Sequence, residues 1–381
     1  MKKAAVSLVL STCLFGACSA YSRTVVDVTG VGMEKISVDI AVAHPMFAKC
    51  LKKNLELSGC FAVVKGGGVK VSGAPGAISA VGHGKTVGAE AFSDDRSARM
   101  AARRLSDRMC EAFARQKGFA ADRIAFVSRK GKEVSELCVC YPDGYDIRQL
   151  TGKGRTVVGP RWKDDNTIFY TGIVNAGPQI WEFNTDTGKY KLRWSFKGLS
   201  TGATVSPDGN RVAIILSFQG NPELYVIDLA TSKWRRLTNT PLASEGQPAW
   251  SPDGRKIVYV SDETRRPQLY IIDVATGSKR RITSKGSQNV DPDWGADGRI
   301  TYITKRGGAQ VAVLEPAAGD ASARLITEPG NWEHPSWSKN SRHVVAGRDK
   351  ALFVVDTSEN GEKPRQVFHA NGNWITPTWS R

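Results

Sequence analysis

Gln247-Pro248-Ala249-Trp250-Ser251-Pro252-Asp253-Gly254 opens the clearest copy of a pattern that recurs six times in the last two-thirds of the chain. The other copies centre on Pro160-Arg161-Trp162, Thr204-Val205, Pro292-Asp293-Trp294, Pro335-Ser336-Trp337 and Pro377-Thr378-Trp379. From Trp162 through Val205, Trp250, Trp294 and Trp337 to Trp379 the intervals are 43, 45, 44, 43 and 42 residues. A period this long and this regular marks a repeat architecture.

Residues 246–283 show what one period builds. Gln247–Trp250 predicts a short strand that runs into Ser251-Pro252-Asp253-Gly254, a turn in which Pro presets φ and Gly takes the position closed to other residues. Lys256–Val260 predicts a second strand and Pro267–Val274 a third, ended by an Ala275-Thr276-Gly277 turn, and Lys279–Thr283 predicts a fourth. Four antiparallel strands joined by tight turns make one propeller blade. The periodic Trp fills the wedge between blades, a burial worth of order 3 kcal/mol. Val205 replaces it once, and Asn340-Ser341 stands where other copies have Asp-Gly.

The two ends set the blade count. Ile124–Ser128, Glu136–Cys140 with Pro142-Asp143-Gly144, and Tyr145–Thr151 read as strands two to four of a blade without a first strand. Residues 375–379 read as a first strand with no blade after it. Joined, they complete a blade and remove two raw sheet edges. The expected fold is an all-β six-bladed β-propeller of WSPDG-type repeats over residues 121–381, closed by the C-terminal strand 375–379, with a small α/β domain at residues 21–120 before it. Residues 1–20 read as an export signal: Lys2-Lys3, an apolar run from Ala4 to Phe15, then small residues. Two processing routes are open. One modifies Cys18 with lipid after the imperfect lipobox Phe15-Gly16-Ala17-Cys18; the other cleaves after Ala20.

In the α/β region, Lys35–Val42 alternates as a strand, Phe47, Cys50, Leu51 and Leu55 trace a helical face, and Phe61–Val64 reads as a second strand. After a glycine-rich stretch, Gly66 to Gly76, Ser97–Lys117 predicts an amphipathic helix capped by Ser97 or Asp95. Its apolar face is Ala98, Ala101, Ala102, Leu105, Met109 and Phe113, and its basic face carries Arg99, Arg103, Arg104, Arg108 and Arg115. That face suits an anionic membrane or packing on the small sheet, the commoner fate. Gly82-His83-Gly84-Lys85-Thr86 ends like a phosphate loop but lacks the first glycine, which is Ser79, and a strand leading in. It reads as a loop. Gly198-Leu199-Ser200-Thr201-Gly202 matches a hydrolase elbow, yet lies between repeats, so it reads as a blade connection.

The net charge of +16 is diffuse. It suits anionic surfaces or acidic partners but forms no nucleic-acid tail. No later segment has the continuous apolar run of a membrane span. Beyond the leader lie Cys50, Cys60, Cys110, Cys138 and Cys140. An exported compartment allows a Cys50–Cys60 bridge or a link to Cys110, whereas Cys138 and Cys140 read as small buried hydrophobes on one face of a strand.

Function then rests on the loops entering the first strands, which line one rim of the ring. There stand Glu245, Gln247, Asn289, Asp291, Trp332, Glu333, His334, Asn373 and Trp374, a mixed polar and aromatic set that suits a protein-binding face. His334 could act as a base, but no nucleophile or carboxylate pair is evidently set beside it. The sequence implies no catalytic residue, no cofactor and no metal site. A peptidase would need a hydrolase domain of roughly 200 residues, for which the N-terminal region is too short.

Taken in order, the leader, the small α/β domain with Leu55-Glu56-Leu57-Ser58-Gly59-Cys60-Phe61, then Ser106-Asp107 and Lys117-Gly118-Phe119-Ala120-Ala121-Asp122-Arg123-Ile124, and the repeats resemble the TolB family of the Tol–Pal envelope system of Gram-negative bacteria. The resemblance spans essentially the whole mature length. It implies a non-enzymatic, monomeric adaptor in the periplasm, tethered to the outer membrane if Cys18 is lipidated. It further implies a rim that binds a Pal-like peptidoglycan-associated lipoprotein, an N-terminal region (with Arg23–Thr29 as its responsive segment) that engages TolA, and a part in outer-membrane constriction at division. The chain departs from the family in the shortened, glycine-rich middle of the α/β domain and in its basic balance. The alternative is an exported propeller hydrolase or peptidase-related protein acting through the channel.

Overall fold

Lys35–Val42 alternates apolar and polar residues, and in the computed structural model Ile36–Val42 forms the strand β1, an interior strand of a small five-stranded sheet. The structure describes residues 34–380 apart from residues 132–133, 153–155, 176, 359–360, 362 and 369–371. The leader with Cys18, the segment Arg23–Thr29 and the terminal Arg381 lie outside the described residues. Helix α1 (Pro45–Leu57) follows β1, with Pro45 in its first turn and the His44 imidazole accepting from the Phe47 N–H at 3.3 Å. Its face of Phe47, Cys50, Leu51 and Leu55 is wholly buried. Strand β2 (Phe61–Val63) then pairs parallel with β1.

The glycine-rich stretch holds structure that composition hides. Strand β3 (Val69–Gly73) lies parallel to β1 on its other side, with Val69 and Val71 both buried. Gly67 lets the chain come this close, since a Cβ there would stand 2.7 Å from the Val38 backbone. Strands β4 (Ser79–Gly82) and β5 (Lys85–Gly88) form a hairpin turned by His83-Gly84, giving the order β2-β1-β3-β4-β5. A strand therefore does lead into Gly84-Lys85-Thr86, but a second strand follows at once and no helix N-terminus is present to hold phosphate.

Helix α2 (Asp95–Met109) is capped one residue before Asp95 and three before Ser97, the two expected caps. Asp94 is the N-cap, its Oδ1 accepting from Ser97 N at 2.7 Å, and Ser97 Oγ accepts from Asp94 N at 3.1 Å, a reciprocal capping box. The α-helix gives way at Cys110–Ala114 to a single π turn ended by left-handed Arg115, short of Lys117. Both helices pack on one face of the sheet.

Six four-stranded antiparallel sheets follow. Their innermost strands are Thr156–Trp162, Ser200–Val205, Glu245–Trp250, Asn289–Trp294, Trp332–Trp337 and Trp374–Trp379, in blades one to six. Each contacts the next, and the sixth contacts the first, which closes the ring. The sixth blade joins the C-terminal strand to Ile124–Arg129, Ser135–Cys140 and Arg148–Gln149, the second starting a residue earlier than expected and the third starting three residues later and ending two sooner. Middle strands such as Arg211–Leu216 and Glu223–Asp228 are buried on both faces, because each blade is covered by its two neighbours. Unbroken apolar runs are the result.

Trp250 fills the wedge between blades two and three, beside Ala213, Ile215 and Leu224 of one and Ile257 and Tyr259 of the other. Its Nε1 donates to Thr204 O at 3.0 Å. Arg211 lies 5.0 Å over its ring and donates to Gly254 O at 3.0 Å, so one side chain spans the joint twice. Arg299 repeats this with Trp337 and Ser341 O, and Arg123 with Trp162 and Asp165 O. Ser200 of the elbow-like motif is no linker residue. It is the buried first residue of the second innermost strand.

The basic face of helix α2, expected to meet a membrane or pack on the small sheet, is instead partly a buried seam against the propeller. Arg103 is fully buried and clasps Asp143 of blade six, with Nη1 donating to Asp146 Oδ2 at 2.8 Å, while Arg99 also binds Asp146. Cys50 Sγ and Asn54 Nδ2 each donate to Asp143 Oδ2 at 3.1 Å. A second lock sets Arg342 against Asp356, with Arg342 Nη1 donating to Cys60 Sγ at 3.2 Å. Against burial, which raises it, the Arg342 hydrogen bonds and the neighbouring His343 hold the Asp356 carboxyl at about 2. All five described cysteines are free and buried, so neither Cys50–Cys60 nor a link to Cys110 is bridged. Cys138 and Cys140 sit together in an apolar cluster.

Candidate protein-binding rim

Three residues before each anchor stand Gly159, Gly202, Gln247, Asp291, His334 and Thr376, and all six have φ between 48° and 68°. At each the register to the second strand slips, so two inner-strand residues face one. Each innermost strand therefore carries a bulge whose first residue is left-handed. The next residue is Pro160, Pro248, Pro292, Pro335 or Pro377, with Ala203 in the second copy. The bulge removes the ladder bond that Pro could not donate. The periodic Pro-x-Trp thus encodes a ring of kinks around the channel.

Blades one and two meet this need with glycine, and blades three to six bring side chains. Gln247 Nε2 donates to Asp291 Oδ1, and Asp291 N donates back to Gln247 Oε1 at 2.9 Å. His334 N donates to Asp291 Oδ2 at 3.1 Å, and His334 Nδ1 lies 3.1 Å from Asp291 Oδ1. Burial raises the Asp291 carboxyl, but His334 and the more distant Arg161 outweigh it and the net shift is downward. For His334 burial lowers the pKa, and Asp291 with Glu333 raises it further than that. The result is a polar bracket across blades three, four and five, with Arg161 of blade one acting on both charged members.

Of the nine residues expected at the rim, these three are brought together. Glu333 stands next to them, half-buried, its carboxyl pushed up by burial and by Asp291. The others serve the scaffold, and the expected loops are in fact the first residues of strands. Glu245 is 4% exposed and accepts from Thr240 Oγ1 at 2.7 Å, and burial pushes its carboxyl up to about 7. Asn289 donates to Gln268 Oε1 at 2.7 Å and Lys285 O at 2.8 Å. Trp332 is buried with Nε1 on Glu328 O at 3.0 Å. Asn373 is half-buried and its carbonyl accepts from Arg129 N at 2.8 Å, and Trp374 packs on Phe368. Residue type alone selected both groups. Aligning the six copies on their anchors would have separated them, since two glycines in one column announce a left-handed site. Arg161 and Thr376 were missed for the same reason.

The opposite mouth opens into a cavity of about 550 Å³ among the Ser-Pro-Asp-Gly turns, floored by Trp162, Trp250, Trp294 and Trp337. Lys339 Nζ spans part of it to Asp165 Oδ1 at 2.8 Å. Among the described residues no group of three or more His, Cys, Asp or Glu is placed to hold a metal ion. No helix there is long and apolar enough to cross a membrane.

The family model for the TolB β-propeller domain matches residues 110–381. The Tol-Pal system protein TolB of Gluconobacter oxydans is 27% identical over 140 residues, 36% of this chain and 31% of that protein. The protein of the same name from Anaeromyxobacter dehalogenans is 29% identical over 158 residues, 41% of this chain and 36% of its own length. The chain thus spans about a third of the length of the curated relatives it matches. The crystal structure of TolB from Acinetobacter baumannii shares the fold with a TM-score of 0.78 at 22% identity, over 91% of this chain and 97% of that one. A family match across the whole six-bladed ring shows that the chain belongs to the TolB family.

Proposed function

We propose that the chain is a periplasmic component of the Tol–Pal system of a Gram-negative bacterium, a non-enzymatic adaptor whose channel rim binds a Pal-like peptidoglycan-associated lipoprotein. The observation that carries this reading is the Gln247–Asp291–His334 bracket. It presents charge and hydrogen-bonding capacity at left-handed positions that cost backbone energy at non-glycine residues, and such strain is concentrated where a ligand is met. The relatives' name supplies the system, and the resemblance supplies TolA as the partner of the N-terminal region. In this reading residues 21–120 and 121–381 act as two parts of one adaptor, exported by the leader, anchored by lipid if Cys18 is modified, and supporting outer-membrane constriction and envelope integrity.

Titration calorimetry of a purified Pal-like lipoprotein domain against wild type and His334→Ala, Glu333→Ala and Gln247→Ala variants tests the reading. A loss of at least tenfold in affinity in His334→Ala is expected. Unchanged affinity in all three removes the rim from the site. A second reading, hydrolysis through the channel, draws on the same Asp291–His334 pair, because an imidazole oriented by a carboxylate can serve as a general base. Turnover of a p-nitrophenyl ester panel that His334→Ala abolishes would favour it.

A further inference from the structure

The outermost strand of blade one differs from its counterparts. It runs five residues, Tyr190–Trp194, where those of the other blades run two or three. Tyr190 is 54% and Leu192 44% exposed, and Lys189 and Lys191 are exposed between them. Successive side chains of a strand point to opposite faces, so Lys189 and Lys191 make a basic face and Tyr190 and Leu192 an apolar one. Lys189, Lys191, Arg193 and Lys197 fall within nine residues, and residues 187–200 contain no acidic residue. Glu182 on the adjacent strand is shared among Lys163, Lys191 and Arg193 at 3.5, 3.9 and 3.3 Å. One carboxylate against three cations leaves the edge positive.

In four other blades one Arg of the outermost strand ties its blade to the next. Arg148 Nη2 donates to Thr185 O at 2.8 Å and Arg280 Nη2 to Pro316 O at 2.7 Å, while Arg235 and Arg324 donate to Val274 O and Thr357 O. Arg193 instead stays on its own blade, lying 5.2 Å over the Trp194 ring. The strand is thus longer than the other outermost strands, and it exposes two large apolar side chains where each of those exposes one at most.

We propose that Tyr190–Trp194 is a docking edge for an extended acidic segment of a protein partner, which adds as a fifth strand to blade one. The outward side of an edge strand is where a further strand can add through main-chain hydrogen bonds. A segment alternating Glu or Asp with apolar residues would match both faces at once. A second copy of this strand would set cations opposite cations, which disfavours self-pairing. The inference concerns a surface apart from the channel rim and does not depend on it.

The probe is a fluorescein-labelled Glu-Val-Glu-Val-Glu-Thr-Glu peptide, read by anisotropy at low salt and by hydrogen exchange of the full chain. Binding with added amide protection over Tyr190–Trp194 is expected, weakened at least tenfold by Lys189→Glu with Lys191→Glu. A peptide of equal charge with both valines replaced by proline is expected to bind at least tenfold more weakly. Leu192→Thr, an exposed change that suits a strand, is expected to weaken binding while leaving the urea midpoint unchanged. Equal binding of the proline peptide, no binding of the parent peptide, or a Lys189- and Lys191-dependent uptake by phosphatidylglycerol vesicles in its place overturns the proposal.

Discussion

Arg103 on α2 is wholly buried and holds Asp143 of blade six in a two-pronged grip, Nε to Oδ2 at 2.8 Å and Nη2 to Oδ1 at 3.0 Å. The guanidinium also lies 3.8 Å over the Tyr141 ring. Burial raises the Asp143 carboxyl, and the hydrogen bonds and charge of Arg103 bring it below the usual range. Removing one partner of such a pair strands the other in a dry seam, a loss of about 3–5 kcal/mol. Arg103→Met should therefore lower the urea midpoint sharply. Arg103→Met with Asp143→Asn should recover part of the loss, giving a coupling of more than about 0.5 kcal/mol in the double-mutant cycle. Additive losses would show that the grip does not hold the seam.

Trp250 and Arg211 form one joint, so their losses should differ in size and couple. Trp250→Ala opens a cavity between blades two and three and should cost about 3–5 kcal/mol. Arg211→Ala loses a cation–π contact and a bond to Gly254 O and should cost about 1 kcal/mol. In Trp250→Ala the further change Arg211→Ala should cost much less, because its platform is gone. Guanidinium unfolding of the four chains checks this.

Much of the ring was legible because its cause is local and repeated. The Trp spacing, the Pro-Asp-Gly turns and the unpartnered strands at Ile124 and Ile375 follow from packing each blade against a like neighbour. The rim was misread because residue type was weighed without backbone conformation. Glu245 and Asn289 are polar and sit before the anchor, yet in-fold partners use them. The column holding Gly159 and Gly202 was the better guide. The α/β domain yielded its first strand and both helices through apolar periodicity. Strand β3 stayed hidden because only Val69 and Val71 carry its pattern, amid glycines that serve close approach. The burial of Arg103 left no local mark at all, since its partner lies forty residues on in a segment that reads as a turn.

Asp122 should make the chain less stable as the solution goes from acid to neutral. Burial pushes its carboxyl up to about 7, Lys339 only partly offsets this, and its Oδ2 has no hydrogen-bond partner among the described residues. A folded pKa above the unfolded one means that the native state binds the extra proton between the two values. Stability from this group is thus full below about pH 4 and is lost as pH rises through about 7, by at most about 4 kcal/mol. Asp122→Asn should flatten this part of the profile and raise the urea midpoint at pH 8 more than at pH 5. An equal shift at both pH values would show that burial of the charge is not the cause.

Thr376 is the ring residue least suited to its conformation. Its φ is 48°, it is β-branched, and its Oγ1 is buried with no hydrogen-bond partner among the described residues. A left-handed backbone costs a non-glycine residue roughly 1–2 kcal/mol, whereas glycine adds about 0.5–1 kcal/mol of chain entropy to folding. Thr376→Gly should therefore leave stability unchanged or raise it by up to about 1 kcal/mol, as the glycines at positions 159 and 202 already do for their blades. Two residues on, Thr378 pairs with Ala125 in the strand and its carbonyl accepts from Trp162 Nε1 at 3.1 Å. There the same substitution brings the entropic cost and, as at Thr376, the loss of a buried side chain, so stability should fall by about 1 kcal/mol or more. Thermal unfolding of the two variants side by side decides the point, because opposite signs two residues apart can come only from the backbone. If Thr376→Gly melts as low as Thr378→Gly, the kink is held by side-chain packing, and the strain assigned to the ring is absent.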